Sequence, residues 1–139
     1  MKYILQLLVF LLCLSAATAQ DGNVVLYRPS RFGGGGRTPS VCVDEKPTVR
    51  LHNGRYVPLH LAIGKHAFKP CRSNALPLEV GVKAGETAYV EMVVARSKLR
   101  GTWGLTSVGE AEAKPAVAKL KPLEAKWVTV PDVISKPAP

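Results

Sequence analysis

Turn signals punctuate this chain at roughly ten-residue intervals, a spacing that suits short strands far better than helices. Asn23 to Tyr27 is a short apolar run, ended by Arg28-Pro29-Ser30. Ser40 to Asp44 is a second run, in which Val41 and Val43 share one face and Cys42 takes the other, because side chains alternate along a strand. His66 to Pro70 is a further run. Leu76, Leu78, Val80 and Val82 alternate cleanly and read as an inward face. Thr87 to Ala95 (TAYVEMVVA) reads as the central strand, which Trp103 and Leu105 continue after a basic loop. Lys126 to Val130 reads as a last short strand. Glu110 to Leu120 is the one helical candidate, and Pro115 is expected to confine that helix to the residues after it or to kink it. The expected fold is mainly β: an antiparallel β-sandwich or partly open barrel, with at most one short helix near the C-terminus.

One stretch allows its register to be argued. Asn53-Gly54 is a hairpin signal. A two-residue turn would put Val49 and Leu51 on the face opposite Val57, Leu59 and Leu61. A three-residue loop, His52-Asn53-Gly54, pairs Leu51 with Arg55 and Val49 with Val57, so that all five share one face. Burial of one apolar face favours the second register. Pro58 lacks a donor, which places its strand at an edge or bulge.

Residues 1–19 read as a secretory signal peptide: Lys2 supplies the charge, Ile4 to Leu14 the apolar centre, and Ala17-Thr18-Ala19 the cleavage site. Cys13 follows two bulky leucines, which does not suit a lipid-attachment site. Residues 20–130 are expected to form a single β-rich domain and residues 131–139 a flexible tail. The protein is thus expected to be exported, to the periplasm or the extracellular space, with no transmembrane segment after signal cleavage. Loss of Lys2 with the leader takes the formal charge from +9 to +8. In such a compartment the natural partner for that charge is an anionic envelope polymer, a lipid surface or a protein, and not nucleic acid.

Cys42 and Cys71 remain after cleavage, an even pair in an oxidising setting, and are expected to form a structural disulfide. They show no CxxC spacing that would support thiol exchange.

The motifs that would carry catalysis or cofactor binding are missing. In RFGGGGRTPS (31–40) the glycines are followed by Arg37-Thr38-Pro39, where a phosphate loop needs Lys-Ser/Thr and a helix. Gly33 to Gly36 therefore read as a connection. No GxSxG elbow selects a serine nucleophile, and Glu110 with Glu112 reads as a solvated face rather than an acid/base pair. His52, His60 and His66 lack the tight four-ligand spacing of a structural zinc site; His66 reads as a turn cap. No catalytic, cofactor-binding or metal residues are assigned, and no cofactor is expected. Basic clusters remain: Arg28, Arg31 and Arg37; Lys65, Lys69 and Arg72; Arg96, Lys98 and Arg100. Those lying in or beside loops are candidate anion contacts, above all Arg28, Arg31, Arg37, Arg96, Lys98 and Arg100.

Several short motifs, in order, resemble the bacterial domain-of-unknown-function family 2846. They are Tyr27-Arg28-Pro29, Pro39-Ser40-Val41 with Val43-Asp44, Leu51 with Asn53-Gly54 and Tyr56, Gly64-Lys65-His66, Ala84-Gly85-Glu86-Thr87 with Tyr89, and Leu120-Lys121-Pro122. The chain departs from that pattern at Ile63-Gly64, where Pro-Gly is frequent, and at Asp44-Glu45, where Asp-Gly is usual. The resemblance implies a small exported bacterial β domain of the envelope, and no reaction or ligand. The expected function is a noncatalytic envelope or secreted β domain contacting an anionic component. The alternatives are a glycan-binding module using exposed aromatics (Tyr27, Tyr56, Tyr89, Trp103 and Trp127) and, with least support, a small hydrolase.

Overall fold

The structure, a computed structural model, describes residues 21–31, 38–95, 102–130 and 133. The expected leader with Cys13, the four glycines Gly33 to Gly36 and the RSKLRG segment lie outside the described residues. Eight strands come first: β1 (Asp21–Arg28), β2 (Ser40–Val43), β3 (Lys46–Arg50), β4 (Arg55–Ala62), β5 (Gly64–Pro70), β6 (Leu78–Val82), β7 (Thr87–Ala95) and β8 (Thr102–Val108). A helix, α1 (Glu110–Ala118), a two-residue strand, β9 (Lys121–Pro122), and a 3-10 turn (Ala125–Trp127) follow.

The strands form two sheets, ordered β8-β7-β1-β4-β9 and β3-β2-β5-β6. The four-stranded sheet is wholly antiparallel. The five-stranded sheet is mixed, because β1 runs parallel to β7 and β4 parallel to β9. No ladder among the described residues joins the two sheets, so the fold is a sandwich and not a closed barrel.

Alternation explains the core. Val24, Leu26, Val57, Leu59, Val90 and Met92 of one sheet meet Val41, Val49, Phe68, Val80 and Val82 of the other in one continuous buried cluster. Each fully buried side chain of this kind contributes about 1.5–3 kcal/mol. Residues of the opposite parity on the five-stranded sheet form a second, smaller cluster. Tyr27 and Tyr89 are buried there beneath Ala113 of α1, with Tyr56, Ala116, Val117 and Leu120 around them. The Tyr27 hydroxyl donates to Glu91 at 3.2 Å. Burial, then the Glu91 and Glu112 charges, hold this phenol far above its ordinary pKa.

Several expectations are corrected. Asn53-Gly54 does not close a hairpin: β3 and β4 belong to different sheets, and residues 51–54 carry the chain between them. The five apolar residues do face one interior, as their parity demands. Their ladder partners are elsewhere, Val49 opposite Val41 and Val57 opposite Leu26. Pro58 lies on β4 beyond the reach of β9, which pairs only with Arg55 and Tyr56, so it occupies an edge as expected. Leu76 is 93% exposed, because β6 begins only at Leu78 and Pro77 has no N–H to extend the ladder. Helix α1 runs through Pro115 instead of starting at it. Both Pro115 and Ala111, whose carbonyl loses its partner, are exposed, so water can satisfy that oxygen. Lys126 to Val130 forms the 3-10 turn and a single bridge, Val128 to Val49, rather than a strand. Val133, within the expected tail, is half-buried against the main core.

Candidate functional site

The strand registers sort the connections into two ends. The C-termini of β1, β3, β5 and β7 and the N-termini of β2, β4, β6, β8 and β9 all lie at one end. Among the described residues, the loops and strand termini there carry Arg31, Arg50, Arg55, Arg72, Lys121 and Lys126, against one carboxylate, Glu124. The opposite end carries Asp21, Asp44, Glu45, Glu86 and Glu110 beside Lys46, Lys65 and Lys83. The molecule is therefore electrically polar from end to end.

A cleft of about 190 Å³ opens at the basic end, lined by His52, Asn53, Arg55, Leu123, Glu124 and Trp127. Its floor is the crossing between the sheets. Gly54 sits there at φ +68°, with the Ser30 side chain against it, which suits glycine. Asn53 clamps the neighbouring loop: its Oδ1 accepts from the Arg31 N–H at 3.1 Å and its Nδ2 donates to the Arg31 carbonyl at 3.2 Å. The outer wall is residues 121–129. This segment leaves β4, with the Lys121 N–H donating to Gly54 and the Leu123 N–H to Tyr56. It reaches the edge of β3, where the Thr129 N–H donates to Thr48 at 2.7 Å. These anchors set Trp127 beside the His52 ring, centroids 4.4 Å apart and tilted by 45°. The Arg50 guanidinium lies 5.5 Å, and the Lys126 ammonium 5.3 Å, from the indole centroid. Lys126 also pairs with Glu124 at 3.1 Å, offsetting the one negative charge of the cleft. The Arg55 Nη1 donates to the Pro122 carbonyl at 3.4 Å.

The expected anion contacts fare unequally. Arg28 is corrected: it is 3% exposed, its Nη1 donates to the Leu51 carbonyl at 3.0 Å, and its guanidinium lies 4.3 Å from the Trp103 ring. Desolvation lowers its pKa. Its place is structural because strand parity turns it away from the loop. Arg31 is exposed at the basic end beside the cleft. Arg37, Arg96, Lys98 and Arg100 lie outside the described residues. Lys65, Lys69 and Arg72 are not one cluster: Lys65 starts from the opposite end of β5 and reaches Glu79 midway along the sheet at 3.8 Å, while Lys69 and Arg72 lie toward the basic end. The five aromatics do not converge, since Tyr27 and Tyr89 are buried under α1 and Trp103 lies by Arg28; only Trp127 lines the cleft.

The disulfide expectation holds: Cys42 in β2 is bonded to Cys71, just past β5, with Cα atoms 5.1 Å apart. The three histidines are dispersed. His60 contacts Asn23 and Asp21, His52 packs at a tilt against Trp127, and His66 bridges Asp44 and Ala62. Among the described residues no group of three or more His, Cys, Asp or Glu could hold a metal ion. No helix among them is long and apolar enough to cross a membrane.

Arg50, His52, Arg55 and Lys126 were not among the expected contacts. The only sequence signal was a pair of arginines flanking LHNG in RLHNGRY, and a lysine before Trp127. The bridge that unites them spans residues 49 and 128 and leaves no local pattern. Fold and cleft together define a small two-sheet β domain with one basic, aromatic end. No family model, no curated protein and no solved structure matches the chain.

Proposed function

We propose that this is a noncatalytic β domain, exported behind its N-terminal leader, that contacts an anionic envelope component through its basic end. The observation that carries the reading is the cleft beside Trp127: Arg55 lines it, Arg50 and Lys126 lie beside the Trp127 ring, and the one carboxylate of the lining, Glu124, is paired with Lys126. Loops at a strand end on a rigid sandwich are also where binding residues concentrate. Export is read from residues 1–19, where Lys2, the apolar run from Ile4 to Leu14 and Ala17-Thr18-Ala19 form a leader pattern.

The test is capture from envelope extracts at low and high salt, using secreted protein whose N-terminus has been sequenced. A start at Gln20 and salt-sensitive capture of a defined anionic partner are expected. Arg50→Ala/Arg55→Ala/Lys126→Ala should weaken that capture, and Arg96→Ala/Lys98→Ala/Arg100→Ala tests the basic RSKLRG stretch of the sequence. No capture at low salt, or capture indifferent to both triple variants, would refute the reading.

A further inference from the structure

We infer that the cleft is a subsite for one acidic sugar residue, a hexuronate within an anionic polysaccharide; the inference rests on the anionic-partner reading above. Size comes first. Pockets for drug-sized ligands run to about 300–1,000 Å³, and a cleft of about 190 Å³ is left with room for little more than a single sugar ring. Shape and chemistry come next. Trp127, His52 and Leu123 line the cleft together and give it an aromatic and apolar side against which the C–H groups of a pyranose can pack. Arg55 lines the same cleft, and with Nη1 donating to the Pro122 carbonyl its remaining guanidinium N–H groups can meet a carboxylate. Glu124, paired with Lys126, and Asn53, whose amide keeps one N–H beyond its clamp on Arg31, border the space and can meet sugar hydroxyls.

Two other anion sources fit less well. A phosphate is held by convergent backbone N–H groups, at a nest or a helix N-terminus, and has no use for an aromatic wall. A bilayer is met by a broad apolar face ringed with cations. Here the one strongly exposed large apolar residue at the basic end, among the described residues, is Leu76, and the cations surround a concavity. A uronate uses the ring wall and the cation together.

The test uses the full mature chain with its disulfide intact and four probes: oligogalacturonate, a neutral malto-oligosaccharide of equal length, polyphosphate, and phosphatidylglycerol vesicles. Binding is read by calorimetry, and the bound site by chemical-shift mapping. Oligogalacturonate is expected to bind at least about tenfold more tightly than the neutral oligosaccharide, shifting the Trp127 indole, His52 and Arg55 signals. Arg55→Ala should weaken it by about tenfold or more, and Arg55→Lys should recover only part. Trp127→Ala should weaken it by roughly three- to tenfold, with Trp127→Phe close to wild type. Should Trp127→Ala not fold, the shift map of the wild-type chain decides alone. Equal binding of polyphosphate, or shifts remote from the cleft, would overturn the inference and leave a charge-only contact standing. Capture by vesicles alone would overturn it in favour of a lipid surface. No binding of any anion at low salt would remove both this inference and the reading beneath it.

Discussion

His66 has a protonation state dictated by its neighbours. Its Nε2 lies 2.6 Å from the Ala62 carbonyl and its Nδ1 2.6 Å from an Asp44 carboxylate oxygen. Neither a carbonyl nor a carboxylate donates, so this geometry favours the doubly protonated imidazolium, which can donate to both. Burial opposes this charge, but the Ala62 carbonyl and then Asp44 hold His66 above the ordinary imidazole pKa. Burial likewise opposes ionisation of Asp44, yet the Ala67 N–H and His66 hold its carboxyl below the ordinary range. The raised His66 contributes stability fully present below about pH 6.5 and lost as pH rises through the folded-state value. The lowered Asp44 contributes stability present above about pH 3.9 and lost as pH falls through its own folded-state value. Urea unfolding of the wild type should therefore show a declining midpoint from pH 6 to 9, a slope that His66→Gln removes while costing about 1 kcal/mol at pH 6. A wild-type midpoint that is flat over this range would contradict the imidazolium. A second residue-scale prediction concerns the turn between β2 and β3, where Asp44 and Glu45 have φ of 50° and 68°. Such two-residue turns favour glycine at the second position. Glu45→Gly should raise stability by about 0.5–1 kcal/mol in thermal unfolding.

Elements were legible in the sequence wherever a strand was long enough to show its alternation. β7 has the span expected of it, and Val41, Val49, Val57 and Leu59 face inward as their parity required. Ladder partners were not legible, because parity specifies a face and is silent about which strand lies alongside. The crossing at 51–54 shows this: the turn residues suit a hairpin, while Val49 and Val57 are equally well buried with their strands in opposite sheets. The cleft was illegible for a related reason, since its two walls are brought together by the bridge from Val49 to Val128. Alternation along β7 sets Tyr89 on the face opposite Val90 and Met92, but nothing local to that strand shows that α1 covers it together with Tyr27. The disulfide was legible from compartment and count alone. It ties β2 to the turn after β5, two strands that already pair. The chain-entropy model gives about 3–4 kcal/mol for a loop of this length. Denaturation with and without reductant should show a loss up to that size, with the folded spectrum retained by Cys42→Ala/Cys71→Ala at low denaturant.

On the scale of the whole molecule, the segregation of charge gives the domain a preferred approach to any polyanion, basic end first. Because the cations are exposed at that end, attraction should fall by about tenfold or more as salt rises from low to physiological strength, as measured by calorimetry. The topology has a further consequence, in time rather than in space. β1 is the first described strand of the chain, yet it lies in the middle of its sheet, with Leu26 between Val57 and Val90. Its parallel neighbour β7 is supplied far downstream, so the five-stranded sheet has no centre until most of the chain is present. Closing such long loops before any pairing is gained places folding in the slow regime of β-sandwiches, milliseconds to seconds. A chain shortened to end before Thr87 would leave one whole side of β1 without its partner.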